Sequence, residues 1–252
     1  MQEASAVEYP FQVDSNDHCE TPLVAYQHIK PVLETIAKHL GKTLADLAIY
    51  DPYYCEGSMV EKLAQLGLNN VYNRLEDFYQ VCAENRVPDF DVLVTNPPYS
   101  DEHIPKLLEF VYKCDKPCLL LVPNFVFTKP YLDQDRFFYV CPRRRYRYDT
   151  PKGRRQKKSG KYTSPFASFW FIRVGDDAMA RVVSGKTVVA RSECCLARRA
   201  REVPLAVRPD NDARKKRQKN ALKRKKNKKR KKVASLQSDG APHTRRKGDR
   251  RY

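Results

Sequence analysis

No stretch of the 252 residues approaches the run of roughly 18 apolar positions that a membrane-spanning helix requires, and no basic-then-apolar signal pattern opens the chain. A soluble intracellular protein without a membrane partner is expected. The eight cysteines lack ligand or framework spacing: Cys114 and Cys118 stand four apart, Cys194 and Cys195 are adjacent, and no histidine pair lies near them. Reduced thiols are therefore expected rather than disulfides or a zinc site. No internal repeat divides the sequence. Acidic residues are missing from one long segment, Arg214 to Lys232, where 14 of 19 residues are Lys or Arg.

Such a segment cannot bury enough apolar surface to fold alone, so residues 181–252 read as a basic, largely disordered tail. Residues 1–180 hold 22 Lys and Arg against 24 Asp and Glu, whereas residues 181–252 hold 26 against 6. The overall charge of +18 is thus a near-neutral body joined to a strongly basic end. The run at 214–232 fits a nuclear, or nucleolar, address read by an import receptor, and also a phosphate-seeking arm.

Residues 1–17 show no period and read as a lead-in, leaving 18–180 for one domain. From Pro22 to Leu40, apolar side chains recur every three or four positions, which predicts an amphipathic helix ended by Gly41. Leu47 to Tyr50 reads as a short buried strand. A second helix follows, with Met59, Val60, Leu63, Ala64 and Leu66 inward and Gly67 at its end. Val71 to Asn73 and Phe90 to Thr95 read as strands around a helix or turn at 76–86. Ile104, Leu107, Leu108, Val111 and Tyr112 mark a third amphipathic helix, before the apolar strand Cys118 to Val122. Strands apolar on both faces and alternating with helices predict a doubly wound α/β fold, a parallel sheet covered on both sides. Phe137 to Val140 and Phe166 to Val174 are aromatic-rich strands expected to pair antiparallel at the sheet edge.

Directly after the central strand stands Asn96-Pro97-Pro98-Tyr99. Proline fixes its own φ and restricts the residue before it, so Asn96 and Pro97 are held extended. Neither proline has an N–H, and the segment therefore presents acceptors, the Asn96 side-chain oxygen and the Pro97 carbonyl. Two acceptors converging on one amine bind a planar NH2 group, and Tyr99 offers a ring face on which its base or amide stacks. In a doubly wound sheet this loop and Asp51 to Gly57, after the first strand, open on one crevice.

These residues resemble a known family. Asp51-Pro52 followed by Gly57 is similar to the cofactor loop of the adenine-N6 methyltransferases that use S-adenosyl-L-methionine, and Asn96 to Tyr99 looks like their catalytic tetrapeptide. Glu20-Thr21-Pro22, ahead of the cofactor loop, resembles the Thr-Pro motif of members with the gamma order. The resemblance covers about residues 18–125 and implies a Rossmann-like class I methyltransferase. It implies that Thr21 and Pro22 line the methionine end of S-adenosyl-L-methionine and that Asp51, Tyr53 and Gly57 surround its amino-acid portion. Asp77-Phe78 would meet the cofactor adenine by carboxylate and ring. Asn96, Pro97, Pro98 and Tyr99 would hold the target amine. Two departures stand out: Cys55 replaces the first loop glycine, and Arg74 falls where an acid grips the ribose, leaving Asn73 or Glu76 to substitute.

Between the two aromatic strands, residues 143–161 hold ten Lys or Arg, including Arg143, Arg144, Arg145, Arg147, Arg154, Arg155, Lys157 and Lys158. This segment reads as a basic hairpin insertion whose Tyr146 and Tyr148 stack on bases while the cations neutralise phosphates. The resulting expectation is an adenine-N6 methyltransferase acting on nucleic acid, RNA slightly ahead of DNA because the chain leaves little room for a large target-recognition domain. Two other readings stay open. One is a protein glutamine-N5 methyltransferase of the release-factor type, since a carboxamide also carries a planar NH2. The other is a methyltransferase-like RNA-binding protein that has lost its cofactor, suggested by Cys55 and Arg74.

Overall fold

The computed structural model describes Pro10 and residues 20–100, 102–148, 166–183 and 193–209. Seven strands form one sheet: β1 (Ile49–Tyr50), β2 (Val71–Tyr72), β3 (Val92–Thr95), β4 (Cys118–Pro123), β5 (Phe138–Pro142), β6 (Ser168–Arg173) and β7 (Cys194–Ala197). Their spatial order is β2-β1-β3-β4-β6-β5-β7. The first four run parallel, and β6, β5 and β7 continue the sheet by antiparallel pairing. Among the described residues five α-helices flank it: α1 (Leu23–His39), α2 (Ser58–Ala64), α3 (Phe78–Ala83), α4 (His103–Lys113) and α5 (Asp177–Val183). This is a mixed α/β sheet with helices on both faces.

The alternation of side chains along each strand produces those two faces. Val92 and Val94 of β3 and Leu119 and Leu121 of β4 join the core under α1, α2 and α5. Leu93, Cys118, Leu120 and Val122 point the other way, into the core shared with α3 and α4. Trp170 is fully buried and donates its indole N–H to the Ala25 carbonyl at 2.9 Å, which fixes α1 against β6. On the opposite face Phe169 and Phe171, two residues apart, stack in parallel with centroids 4.9 Å apart.

Helix boundaries follow local chemistry. Gly41, Gly57 and Gly67 all adopt positive φ, the left-handed region that costs glycine least. Gly41 and Gly67 stop α1 and α2, while Gly57 turns the chain into α2. On α2 only Met59 and Leu63 are buried. Val60 and Ala64, expected inward, are exposed, because a step of one residue turns the helix about 100° away from the Met59–Leu63 stripe.

Two expectations about the far edge change. Strand β6 lies between β4 and β5, so the aromatic pair does not end the sheet. The edge is β7, whose Leu196 and Cys195 pair with Val140 and Cys141. Behind it Val203 and Val207 are fully buried, and Asn124 Nδ2 donates to the Val207 carbonyl at 3.1 Å. The compact unit therefore ends at Pro209, not at residue 180. An apolar quartet, Cys194 to Ala197, was too short and too close to arginines to stand out as a strand. The basic run at 214–232 lies outside the described residues.

Candidate active site

Strand β2 lies on one side of β1 and β3 on the other, so the direction of winding reverses between β1 and β3. Loops leaving the carboxyl ends of strands diverge at such a point and leave a crevice. Asp51 and Asn96 are the first residues beyond β1 and β3. Thr95 Oγ1 donates to Asp51 Oδ1 at 2.6 Å, and the Tyr53 backbone N–H donates to the same oxygen at 3.1 Å. Asn73 Nδ2 donates to the Asp51 carbonyl at 3.2 Å, adding the loop after β2. Asp51 is 6% exposed, and burial pushes its carboxyl up to about 7. Its two hydrogen bonds oppose that rise, and the charge of Glu20 adds to it.

The outer wall is a clamp between residues 20–21 and the start of α2. Glu20 Oε1 accepts the Glu56 N–H at 3.0 Å, and Glu20 Oε2 accepts from the Ser58 hydroxyl. Lys62 Nζ donates to Ser58 Oγ and to the Thr21 carbonyl, both at 2.8 Å. Neither Glu20 nor Lys62 was singled out as a site residue by the sequence. The available signal was the i, i+4 spacing of Ser58 and Lys62 at a helix start beside a positive-φ glycine. Glu20, Thr21, Tyr26, Asp51, Tyr53, Cys55, Gly57, Met59, Asn73 and Asn96 enclose a cavity of about 30 Å³. Five expected residues, Thr21, Asp51, Tyr53, Gly57 and Asn96, thus meet in one place.

The tetrapeptide adopts a closed arrangement. Pro97 is buried, whereas Asn96, Pro98 and Tyr99 are partly so. The Tyr99 hydroxyl is within reach of two acceptors, Asn96 Oδ1 at 2.7 Å and the Leu121 carbonyl at 3.2 Å. The phenol proton therefore occupies an acceptor read from the sequence as standing ready for an amine. The ring packs against the core of this face instead of standing out as a platform.

The remaining expected residues stand outside the small cavity. Asp77 caps α3, its Oδ1 accepting the N–H groups of Tyr79 at 2.8 Å and Gln80 at 3.4 Å. Phe78 is 4% exposed, with its ring edge-on to Tyr53 and Phe110. Glu76 accepts from the Tyr72 hydroxyl at 2.8 Å and lies 3.4 Å from Arg86 Nη1, so Asn73 is the residue after β2 that reaches the cavity. Pro22 faces a different groove. A chain of polar rings not foreseen from the sequence backs the site: the hydroxyls of Tyr53 and Tyr79 are 3.2 Å apart, and Tyr79 Oη is 2.5 Å from His103 Nδ1.

That second groove, about 1050 Å³, is lined by Pro22, Val24, His28, Arg143 to Arg147 and Glu193. All four arginines of this segment are exposed. Tyr146 and Tyr148, read as stacking faces, are 5% and 2% exposed and belong to the core. Residues after β5 still alternate, so Arg145 and Arg147 point out while the tyrosines point in, the Tyr146 hydroxyl bonding His28 Nδ1 at 2.8 Å. Arg154, Arg155, Lys157 and Lys158 lie outside the described residues. No family model, curated protein or solved structure matches this chain.

Proposed function

We propose that the chain is a methyltransferase that uses S-adenosyl-L-methionine to methylate the exocyclic amine of adenine in nucleic acid, RNA ahead of DNA, on a doubly wound Rossmann-like class I core. The observation that carries this reading is the Thr95–Asp51 hydrogen bond, which joins the Asp51 loop and the Asn-Pro-Pro-Tyr segment at the point where strand order reverses. The donor set suits the cofactor. Asp51 and Glu20 bring carboxylates toward an ammonium group, and Asn73 offers an amide toward hydroxyls. A cavity of about 30 Å³ holds only a water or two, so a nucleoside-sized ligand enters by displacing the loop from Tyr53 to Ser58 from residues 20–21.

The cofactor supplies a sulfonium methyl as electrophile. An aromatic amine has its lone pair spread into the ring, and the chain's part is to concentrate that pair on nitrogen. Asn96 Oδ1 and the Pro97 carbonyl accept the two N–H bonds of the amine, and both contacts strengthen as positive charge develops there. Tyr99 gives up its bond to Asn96 when the amine takes its place. A base in a duplex has to leave the stack first.

The same acceptors suit a glutamine carboxamide, but the exposed arginines beside Pro22 favour a phosphate polymer. The tightness of the cavity favours the third reading, a binding protein without cofactor. Calorimetry with S-adenosyl-L-methionine, followed by nucleoside mass spectrometry after incubation with RNA, DNA and a glutamine-bearing peptide, separates the three. Cofactor heat and N6-methyladenosine are expected. Absence of cofactor heat overturns both enzyme readings, and methyl on the peptide alone overturns the nucleobase assignment.

A further inference from the structure

We propose that His28 and Arg143, Arg144, Arg145 and Arg147 form a phosphate subsite for single-stranded nucleic acid, in which the Glu193 carboxylate is the internal anion that an incoming phosphate displaces. His28 is 5% exposed, and its Nδ1 is engaged by the Tyr146 hydroxyl at 2.8 Å. The other nitrogen, Nε2, is buried and has no hydrogen-bond partner among the described residues. Its nearest acidic atom is Glu193 Oε2 at 3.5 Å, beyond hydrogen-bond length, on a side chain two-thirds exposed. A buried donor without a hydrogen bond of normal length favours a ligand that brings an acceptor to it.

The surroundings specify which acceptor. Four guanidinium groups line the same groove as the imidazole, and guanidinium matches phosphate oxygens in paired fashion. Glu193 is the one carboxylate lining it among the described residues, held at the rim where the Arg143 N–H donates to the Glu193 carbonyl at 2.8 Å. The groove also adjoins the candidate active site, for Pro22 lines it while Thr21, the next residue, lines the small cavity. A strand whose phosphates lie along the arginines therefore brings a neighbouring base toward Asn96. The substrate role of this subsite rests on the proposed methyl transfer, but its affinity for phosphate does not.

The charged and titratable groups facing His28 are Tyr146, Glu193 and the four arginines. Tyr146 stays neutral, since burial pushes its phenol well above the ordinary range. Burial also pulls the His28 imidazole below its ordinary value, against the opposing effect of Glu193. A bound phosphate favours the protonated ring, so binding tightens as pH falls.

The test uses the full-length chain without S-adenosyl-L-methionine, so that failure of the enzyme reading leaves it intact. Binding of an unstructured fluorescent single-stranded RNA is measured at pH 6 and pH 8 over a range of salt, with photo-crosslinking through 4-thiouridine. Wild-type protein is expected to bind more tightly at pH 6 and to crosslink in 22–28 and 143–148. His28→Gln, which keeps a partner for Tyr146, loses the pH dependence, and Glu193→Gln binds more tightly at pH 8. Arg144→Gln with Arg147→Gln lowers the log–log salt slope by about 2. Unchanged slope and pH dependence in these variants, or crosslinks confined to 210–252, overturn the subsite. Polyglutamate losing as much affinity as RNA overturns the assignment to phosphate.

Discussion

In the proposed methyl transfer Asn96 and Asp51 have different roles, and substitution separates them. Asn96→Ala removes an acceptor that matters most when charge develops on nitrogen. It is expected to lower kcat by about 10²- to 10³-fold with cofactor affinity nearly unchanged, as single-turnover assays and calorimetry would report. Asp51 has a folded-state pKa raised to about 7. A carboxyl raised in this way holds its proton better folded than unfolded, so its own contribution to stability is fully present below about pH 4 and is lost as pH rises through 7. The decline amounts to a few kcal/mol at most over this window. Asp51→Asn is therefore expected to melt higher than wild type at pH 8, with the gap closing by pH 5. Ligand binding runs the opposite way: an ammonium gains from ionised Asp51, so cofactor affinity should rise through pH 7 in wild type and stay flat in the variant.

At the level of elements, the parallel half of the sheet was legible because its strands are short apolar runs bounded by Pro, Gly and helical periods. Phe90 to Thr95 and Cys118 to Val122 could hardly fold otherwise. Of the candidate site, the meeting of Asp51 and Asn96 at one cavity was legible, because chemistry and backbone constraint coincide at both. The rest was not legible where one side chain satisfies another across the fold. Asp77 stood in the sequence equally as a helix-start carboxylate and as a cofactor contact, and it caps α3, whereas nothing local says that Tyr99 reaches Asn96 and Leu121. Tyr146 and Tyr148 were misread for a related reason: among arginines, an inward-pointing alternate residue looks like an outward platform. Strand β7 was missed because its pairing partner lies some fifty residues away in sequence. A chain ending at residue 180 loses β7 and the buried Val203 and Val207. Two valines at about 1.5–3 kcal/mol each put the loss near 3–6 kcal/mol before strand pairing is counted. Thermal melts should show such a chain unfolded or strongly destabilised, whereas one ending at Pro209 melts like the full-length protein.

For the molecule as a whole, moving the boundary to Pro209 redistributes the charge. Residues 1–209 carry 29 Lys and Arg against 26 Asp and Glu, and residues 210–252 carry 19 against 4, which is +3 against +15. On the proposed reading, general attraction for polyanions is expected from the end of the chain and discrimination from the body. Removing residues 210–252 is expected to weaken RNA binding at low salt by tenfold or more and to flatten its salt dependence. Affinity for S-adenosyl-L-methionine, on the proposed reading, should stay within about twofold, since the terms lost are long-range electrostatic ones screened by salt.

The Glu20–Ser58–Lys62 clamp adds a kinetic consequence. Three hydrogen bonds tie residues 20–21 to the α2 entrance, and a fourth, from Lys62 to Ser58, braces the α2 side, so the two sides of the mouth part together. Ligand entry by the proposed route requires these bonds to open, and the observed rate of capture is then expected to level off with rising concentration instead of climbing in proportion. The Glu56 amide, held by Glu20, would report that opening directly through its hydrogen–deuterium exchange.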